Sequence, residues 1–238
     1  MPASDGPSGN ADRLRLFVAL TPPKAVIEAL AAAQGSLRAV LAEAQPDLRL
    51  RWVGPHGFHL TLRFLGDTPC DRLAAIAEAM LAVAETTAPL SLRLDQLGTF
   101  GGRRPRVVVA SLAGETEADV ASLQGCTTAL NIALAAQGFP IEERPLRPHL
   151  TLARLPQRAD REARSAVLQA VDRASALPAI PFPARSMQLI ASELQPGGAL
   201  YTTRLTAPFP QSRARIPPKH PPGVEDRHNT ATPCARRE

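Results

Sequence analysis

The stretch FHLTLRFLG, which runs from Phe58 to Gly66, contains a tetrapeptide, His-Leu-Thr-Leu, that occurs again in PHLTLARLP, from Pro148 to Pro156. The chain has 238 residues and only five histidines, and two of them begin this motif. Alternate side chains of a strand share a face. Each copy therefore predicts a strand with a histidine and a threonine on one face and two leucines in the core on the other.

The segments around the two motifs alternate between strand-like and helix-like hydrophobic patterns. Each motif strand precedes a helix and then a hairpin, which indicates a weak internal duplication. Strands joined by hairpins are antiparallel, so we expect an α+β fold of two similar lobes. The predicted strands are 13–20, 48–53, 58–66, 89–100, 106–112, 147–155, 184–192 and 199–205, and the predicted helices are 22–44, 71–84, 115–136 and 160–175.

The composition places the folded domain at residues 13–206. Residues 1–12 are small, polar and contain Gly and Pro, and residues 207–238 are rich in Pro and mixed charges, so we expect two disordered tails. The first segment lacks the features of a signal peptide, and no stretch has the roughly 18 uninterrupted apolar residues of a membrane span. We expect a cytoplasmic monomer with no membrane association.

The cysteine and charge patterns exclude several classes of protein. Three widely spaced cysteines argue against a disulfide framework and a zinc knuckle. Two histidines without paired carboxylates or cysteines are a poor ligand set for a metal, so we expect neither metal nor cofactor. The net charge of +5 gives only weak support for a nucleic-acid partner.

A pair of imidazoles suits acid–base chemistry near neutral pH, since one can accept a proton while the other donates one. Threonine hydroxyls can donate hydrogen bonds to oxyanions. In-line displacement at phosphorus needs this combination of base, acid and donors. A single His-Leu-Thr-Leu is more commonly a half-buried strand, but two copies favour a catalytic site.

The two HxTx stretches, His59-Leu-Thr61-Leu and His149-Leu-Thr151-Leu, resemble the paired signatures of the two-histidine (2H) phosphoesterase superfamily. The flanking segments resemble its bacterial and archaeal branch, the RNA 2′,3′-cyclic phosphodiesterases, historically called 2′-5′ RNA ligases. The resemblance covers roughly Arg13 to Pro208. Its segments, in order, are RLFVAL, RWVGPHGFHLTLRFLG, LGTFGGRRPRVVVA, RPHLTLARL and ELQPGGALYTTRL.

This resemblance implies two lobes whose antiparallel sheets line a central cleft, with helices outside and no metal. The implied reaction is hydrolysis of an RNA 2′,3′-cyclic phosphate end to a 2′-phosphomonoester. The implied roles are general acid for His59, general base for His149, and phosphate binding for Thr61 and Thr151. The residues themselves give both histidines the same setting, so they leave the acid and base roles open.

Three further residues are candidates for substrate contacts. Arg154 stands where the family often has a phosphate-contacting arginine, but strict alternation puts it on the face opposite His149, so the strand must end or twist there. Arg63 shares the parity of His59 and is a candidate RNA contact at the rim. Tyr201 is a candidate contact for the terminal base.

Two other hypotheses remain. The same chemistry could act on small cyclic nucleotides without RNA, or the histidines could only grip the phosphate in a non-catalytic RNA-end binder. An enzyme of this kind could also run the reverse reaction, which joins a 5′-hydroxyl to a cyclic end as a 2′-5′ linkage.

Overall fold

The computed structural model describes residues 13–174, 176–195 and 198–210. Within them the chain forms two antiparallel sheets: sheet A with strand order β3-β1-β8-β9 and sheet B with strand order β2-β6-β5-β4-β7. The strands are β1 (Arg13–Leu20), β2 (Arg51–Trp52), β3 (Leu60–Pro69), β4 (Leu90–Phe100), β5 (Val107–Gly114), β6 (His149–Arg154), β7 (Pro181–Ala184), β8 (Ser186–Gln195) and β9 (Gly198–Pro208). The helices are α1 (Lys24–Ala44), α2 (Leu73–Thr86), α3 (Glu117–Ala136) and α4 (Arg161–Arg173).

The two motif strands lie in different sheets, as the duplication predicts, but the hairpins are exchanged. The hairpin β4–β5 follows the first motif strand, β3, in the chain and yet pairs with the second motif strand, β6. The hairpin β8–β9 follows β6 and joins the sheet of β3 through β1. Each sheet is therefore built from both halves of the sequence, which ties the two lobes together.

Apolar faces of the sheets and helices form one large core. Helix α1 buries Val26, Leu30, Leu37 and Leu41, the stripe that its helical spacing predicts. It packs against α4, while α2 packs against α3. The α+β class with antiparallel sheets is thus confirmed.

Local signals fix most of the helix ends. Thr116 caps α3 in a reciprocal capping box with Asp119, and Asp160 caps α4 by accepting from the backbone N–H of Ala163. Gly138, with φ of 81°, follows the end of α3, where a left-handed conformation favours glycine. The second helix begins at Leu73 rather than at Asp71, because residues 70–72 form a 3₁₀ turn.

Three other expectations about the elements need correction. Of the predicted strand 48–53, only Arg51–Trp52 pairs in a sheet. Strand β7, which the sequence did not predict, contains Pro181 and Pro183 and lies at the edge of sheet B, where a missing N–H is tolerated. The folded chain also extends past residue 206, because β9 ends at Pro208 and Phe209 is only 2% exposed.

The predicted disorder of residues 1–12 falls outside the described residues, as does that of residues 211–238. By length and composition α1 could cross a membrane, although it contains charged residues and so has no uninterrupted apolar stretch of about 18 residues. The apolar stripe of this helix is buried in the core, so its length and composition are weak evidence for a membrane span.

Candidate active site

Each motif strand contains a β-bulge at the same position. In the pairing of β1 with β3, Ala19 lies opposite Thr61 and Val18 lies opposite Arg63, so Leu62 is the extra residue. The pairing of β5 with β6 skips Leu152 in the same way. The bulge reverses the alternation of side chains beyond it. Two consecutive residues are consequently buried in each strand, Leu62 with Arg63 and Leu152 with Ala153.

The bulge brings Arg154 to the site. It follows the two buried residues and is exposed. Its positive charge lowers the pKa of His59 and of His149, so it lies near both rings. The strand distortion that this candidate required is therefore present.

The same bulge buries the side chain of Arg63. Strict alternation would place it beside His59, but its side chain is only 7% exposed. Its Nη1 lies 3.5 Å from Glu142 Oε2, and its Nη2 donates to the carbonyl oxygen of Pro140. Arg63 therefore joins β3 to the segment that follows α3, and its contact with RNA stays a prediction.

The two histidines are held by matching backbone hydrogen bonds. His59 Nδ1 lies 2.8 Å from the carbonyl oxygen of Gly57, and His149 Nδ1 lies 2.7 Å from that of Arg147. Because a carbonyl only accepts, each Nδ1 carries the proton and donates it. This bond fixes the tautomer, so in the neutral ring Nε2 is the atom that can accept or deliver a proton.

Aromatic rings pack against both imidazoles. The centroid of the Phe17 ring lies 4.6 Å from that of His59, and the Phe100 ring lies 4.6 Å from that of His149. Tyr201 packs edge-on against His59, with centroids 5.2 Å apart. The candidate Tyr201 therefore lies at the site, beside the imidazole.

Burial and charge together keep both histidines neutral. Burial, the main cause, acts together with the electrostatic effects of His149 and Arg154 to lower the pKa of His59 from 6.5 to about 4. The hydrogen bond to Gly57 opposes this shift. The pKa of His149 is also lowered, again mainly by burial. Both imidazoles are consequently uncharged at pH 7 in the free protein.

The two motif threonines lie partly exposed, each two residues after its histidine. Neither Thr61 nor Thr151 uses its side chain in a hydrogen bond to another residue of the described ranges. Both hydroxyls are therefore available to a ligand.

Among the described residues no group of three or more His, Cys, Asp or Glu is arranged to hold a metal ion.

A buried glutamine supports the second bulge. Gln34, on α1, is 4% exposed, and its Nε2 donates to the carbonyl oxygens of Val53 and Leu152 at 2.8 and 2.9 Å. The second of these is the bulged residue that reverses the strand before Arg154. Helix α1 thus holds the backbone that presents Arg154.

Sequence reasoning missed four residues that shape the site: Gln34, Phe17, Phe64 and Phe100. Phe17 is buried in a small cluster with Ala19, separate from the main core, rather than among the core residues. Phe64 is 57% exposed, with its ring centroid 5.9 Å from that of Phe17. The one available signal was the alignment of the two motifs, in which Phe64 corresponds to Arg154.

Comparison with known proteins identifies the family. The sequence matches the family described as LigT like Phosphoesterase over residues 20–109 and 120–201. An RNA 2′,3′-cyclic phosphodiesterase of Thermus thermophilus is 31% identical over 192 residues, which cover 79% of this chain and 87% of that protein. A second, from Geobacillus stearothermophilus, is 40% identical over 114 residues, 47% of this chain but only 35% of that protein's length. These relatives confirm the predicted class of cyclic phosphodiesterase.

Solved structures show the same fold. A crystal structure of a Thermus thermophilus protein has a TM-score of 0.63 at 30% identity and covers 82% of this chain and 98% of its own. Escherichia coli LigT complexed with 3′-AMP has a TM-score of 0.57 at 21% identity and covers 84% and 100%, which shows a shared fold. The family match, the relatives and the shared architecture together show that the chain belongs to the LigT-like phosphoesterase family.

Proposed function

We propose that this protein hydrolyses the 2′,3′-cyclic phosphate at an RNA 3′ end to a 2′-phosphomonoester. One observation carries the proposal: two bulged motif strands present two half-buried imidazoles, each with Nδ1 hydrogen-bonded to a carbonyl oxygen, beside two threonine hydroxyls without internal hydrogen bonds and Arg154. The names of the Thermus and Geobacillus relatives support the same substrate.

In the proposed reaction, water attacks phosphorus on the side opposite the 3′-oxygen. A new P–O bond forms to the water oxygen while the P–O3′ bond breaks. His149 Nε2 takes a proton from the attacking water as general base. His59 Nε2 delivers a proton to the departing 3′-oxygen as general acid, so the ribose is left with a 3′-hydroxyl and a 2′-phosphate. Each proton transfer contributes about 10²- to 10⁴-fold in rate.

Thr61, Thr151 and Arg154 act on the non-bridging oxygens. In this proposal the two hydroxyls donate to phosphate oxygens, and the guanidinium neutralises charge that develops during attack. Hydrogen bonds from a cation to phosphate are stronger than neutral ones. Because the site is partly buried, these interactions act in a medium less polar than water.

The active protonation state has one charged imidazole. Substrate binding favours it, since the negative phosphate offsets the burial that lowers the pKa of His59 in the free protein. The same bound anion opposes the repulsion from Arg154. Bound substrate therefore favours protonation of His59, the general acid that donates a proton to the leaving 3′-oxygen.

We propose RNA as the partner. We also propose that the protein is a cytoplasmic monomer and that it works without a metal or cofactor. Reversal of the reaction would join a 5′-hydroxyl to a cyclic end. Packing of Tyr201 on His59 supports a positioning role for this tyrosine, and contact with the terminal base stays a prediction.

The test uses a short RNA with a 2′,3′-cyclic phosphate end, incubated in EDTA with wild type, His59→Ala or His149→Ala. We expect wild type to give a 2′-phosphate and each variant to lose at least about 100-fold in rate. Exposed His56, in the turn before the motif, provides the matched control His56→Ala, which should behave as wild type. If wild-type protein binds this RNA without turnover, the proposed hydrolysis is wrong and the protein is a non-catalytic RNA-end binder.

A further inference from the structure

A polar residue interrupts the apolar stripe of α1. Gln34 is buried on the same helix face as Val26, Leu30, Leu37 and Leu41. A leucine at this position would continue the stripe, whereas a buried amide costs free energy unless it is hydrogen-bonded. The hydrogen bonds that satisfy this amide lead to both motifs of the active site.

The Gln34 amide joins two backbone segments that are far apart in the chain. Its Nε2 donates to the carbonyl oxygen of Val53 at 2.8 Å and to that of Leu152 at 2.9 Å. The Leu152 carbonyl also accepts from the backbone N–H of Val53 at 2.8 Å. Both protons of the amide nitrogen and both lone pairs of the Leu152 oxygen are thus used, which fixes the geometry of this junction.

On the side of Leu152 the junction determines how the second motif strand presents its side chains. Leu152 is the extra residue of the bulge in β6 and stands between Thr151 and the segment that ends in Arg154. A shift of one residue along a strand turns every following side chain to the opposite face. The bulge must therefore stay at Leu152 for Arg154 to face the histidines.

On the side of Val53 the junction leads to the first motif. Val53 directly follows β2 of sheet B, and the chain crosses from there to β3 of sheet A. This crossing contains Gly57, whose carbonyl oxygen lies 2.8 Å from His59 Nδ1. A Cβ on Gly57 would lie 2.8 Å from Val53 Cγ1 and 3.4 Å from the Tyr201 ring, so Val53 packs directly on this glycine. A displacement of Val53 would therefore move the carbonyl that orients His59.

We infer that Gln34 is a positioning residue that fixes both halves of the active site at once. Through the bulge at Leu152 it places Arg154, and through Val53 it places the turn that orients His59. The amide is buried in the core and acts only through these backbone segments. The inference rests on the proposed function, because it assigns Gln34 to the alignment of the groups that carry that reaction. A misplacement of about 1 Å in an active site can cost about 10²-fold in rate.

The test compares wild type with Gln34→Met, which keeps the length and packing of the side chain but removes both donors. On a short RNA with a 2′,3′-cyclic phosphate end, we expect kcat to fall about tenfold or more. Gln34→Glu keeps the shape and, because burial favours the protonated carboxyl, keeps one donor, so its loss should be smaller.

The matched control is Thr87→Val, at the end of α2. It removes another buried side-chain bond, from Thr87 Oγ1 to the carbonyl oxygen of Val83 at 2.8 Å. This variant should lower the free energy of unfolding and leave kcat unchanged.

Two further measurements separate positioning from stability. Because the charge of Arg154 lowers the pKa of His149, displacement of this arginine in Gln34→Met should raise that pKa in an NMR titration. Gly57→Ala disturbs only the path to the first motif, so it should change the pKa of His59 and leave that of His149 unchanged. The losses in kcat/KM from Gln34→Met and Arg154→Gln should combine to about fivefold less than their product, since one residue acts through the other.

Wild-type values of kcat and of the His149 pKa in Gln34→Met would overturn the inference. Losses from Gln34→Met and Arg154→Gln that multiply fully would also overturn it, as would a Thr87→Val variant that loses as much in kcat as Gln34→Met. If Gln34→Met does not fold, Gln34→Glu takes its place in each comparison. A wild type that turns over no RNA would contradict the proposed function, while the NMR titration still tests whether Gln34 places Arg154.

Discussion

Phe64 and Arg154 occupy equivalent positions in the two motif strands. Each stands three residues after the motif threonine and beyond a bulge, at Leu62 or Leu152, that turns it to the histidine side. One position bears a cation that acts on both imidazoles, and the other bears an exposed aromatic ring. The duplicated geometry thus bears a cation on β6 and an aromatic ring on β3.

The Arg154 side chain should matter for both affinity and pH dependence. We expect Arg154→Gln to lower kcat/KM about 10- to 100-fold, because a charge-assisted bond to phosphate is lost. The pH optimum should move upward, since the arginine charge lowers the pKa of both histidines. Steady-state kinetics from pH 4 to 9 measure both effects, with Arg161→Gln as control. A variant with the wild-type rate would exclude Arg154 from phosphate binding.

Tyr201 should act through its ring. Tyr201→Ala removes the edge contact on His59 and part of its burial, so the pKa of His59 should rise toward 6.5 and kcat should fall. Tyr201→Phe keeps the contact and should preserve both values. Titration of the His59 ring by NMR, with kcat measured in parallel, tests this. Equal losses in the two variants would instead point to the hydroxyl and to a direct substrate contact.

The rate should depend on pH with an acidic optimum. Activity needs one protonated and one neutral histidine, and in the free protein the pKa of His59 is about 4 while that of His149 is lowered from 6.5. The profile of kcat/KM should therefore be bell-shaped, with its maximum between about 4 and 6.5. The profile of kcat should lie at higher pH, because the bound phosphate raises the pKa of the imidazole. A kcat/KM that rises from pH 6.5 to 8 would contradict this protonation scheme.

Burial of His59 should make the fold acid-sensitive. The unfolded chain binds a proton on this histidine with pKa 6.5, while the folded chain binds it only near pKa 4, so stability is lost as the pH falls between these values. From pH 7 to pH 5 this one group should cost about 2 kcal/mol. Urea denaturation at both pH values should show a smaller loss for His59→Gln. The exposed His56→Gln should lose as much as wild type, and equal losses in all three proteins would refute the linkage.

The sequence predicted the motif strands and their site-facing residues because a tetrapeptide with period two is a local signal. His59, Thr61, His149 and Thr151 lie as the alternation indicates. The bulges were not predictable in this way, since alternation assumes regular pairing. For that reason Arg63 is more buried than regular alternation indicates.

Other features could not be predicted from the sequence, either because they depend on long-range contacts or because their residues are unusual for the element they form. The exchange of the two hairpins between sheets is decided by packing that no local pattern encodes. Strand β7 was not predicted because it contains Pro181 and Pro183, and proline argues against a strand except at an edge. The role of Gln34 was likewise invisible, since its partners lie 19 and 118 residues away.

The most direct measurement distinguishes proton transfer by the two motif histidines from binding of the phosphate alone. A cyclic substrate with sulfur in place of the 3′-oxygen has a leaving group that needs no proton, so the general acid becomes dispensable. We predict that this substrate restores His59→Ala to within about tenfold of wild type while His149→Ala stays at least about 100-fold slower. Equal failure of both variants on the sulfur substrate, with phosphate binding intact, would contradict acid–base catalysis by the two motif histidines.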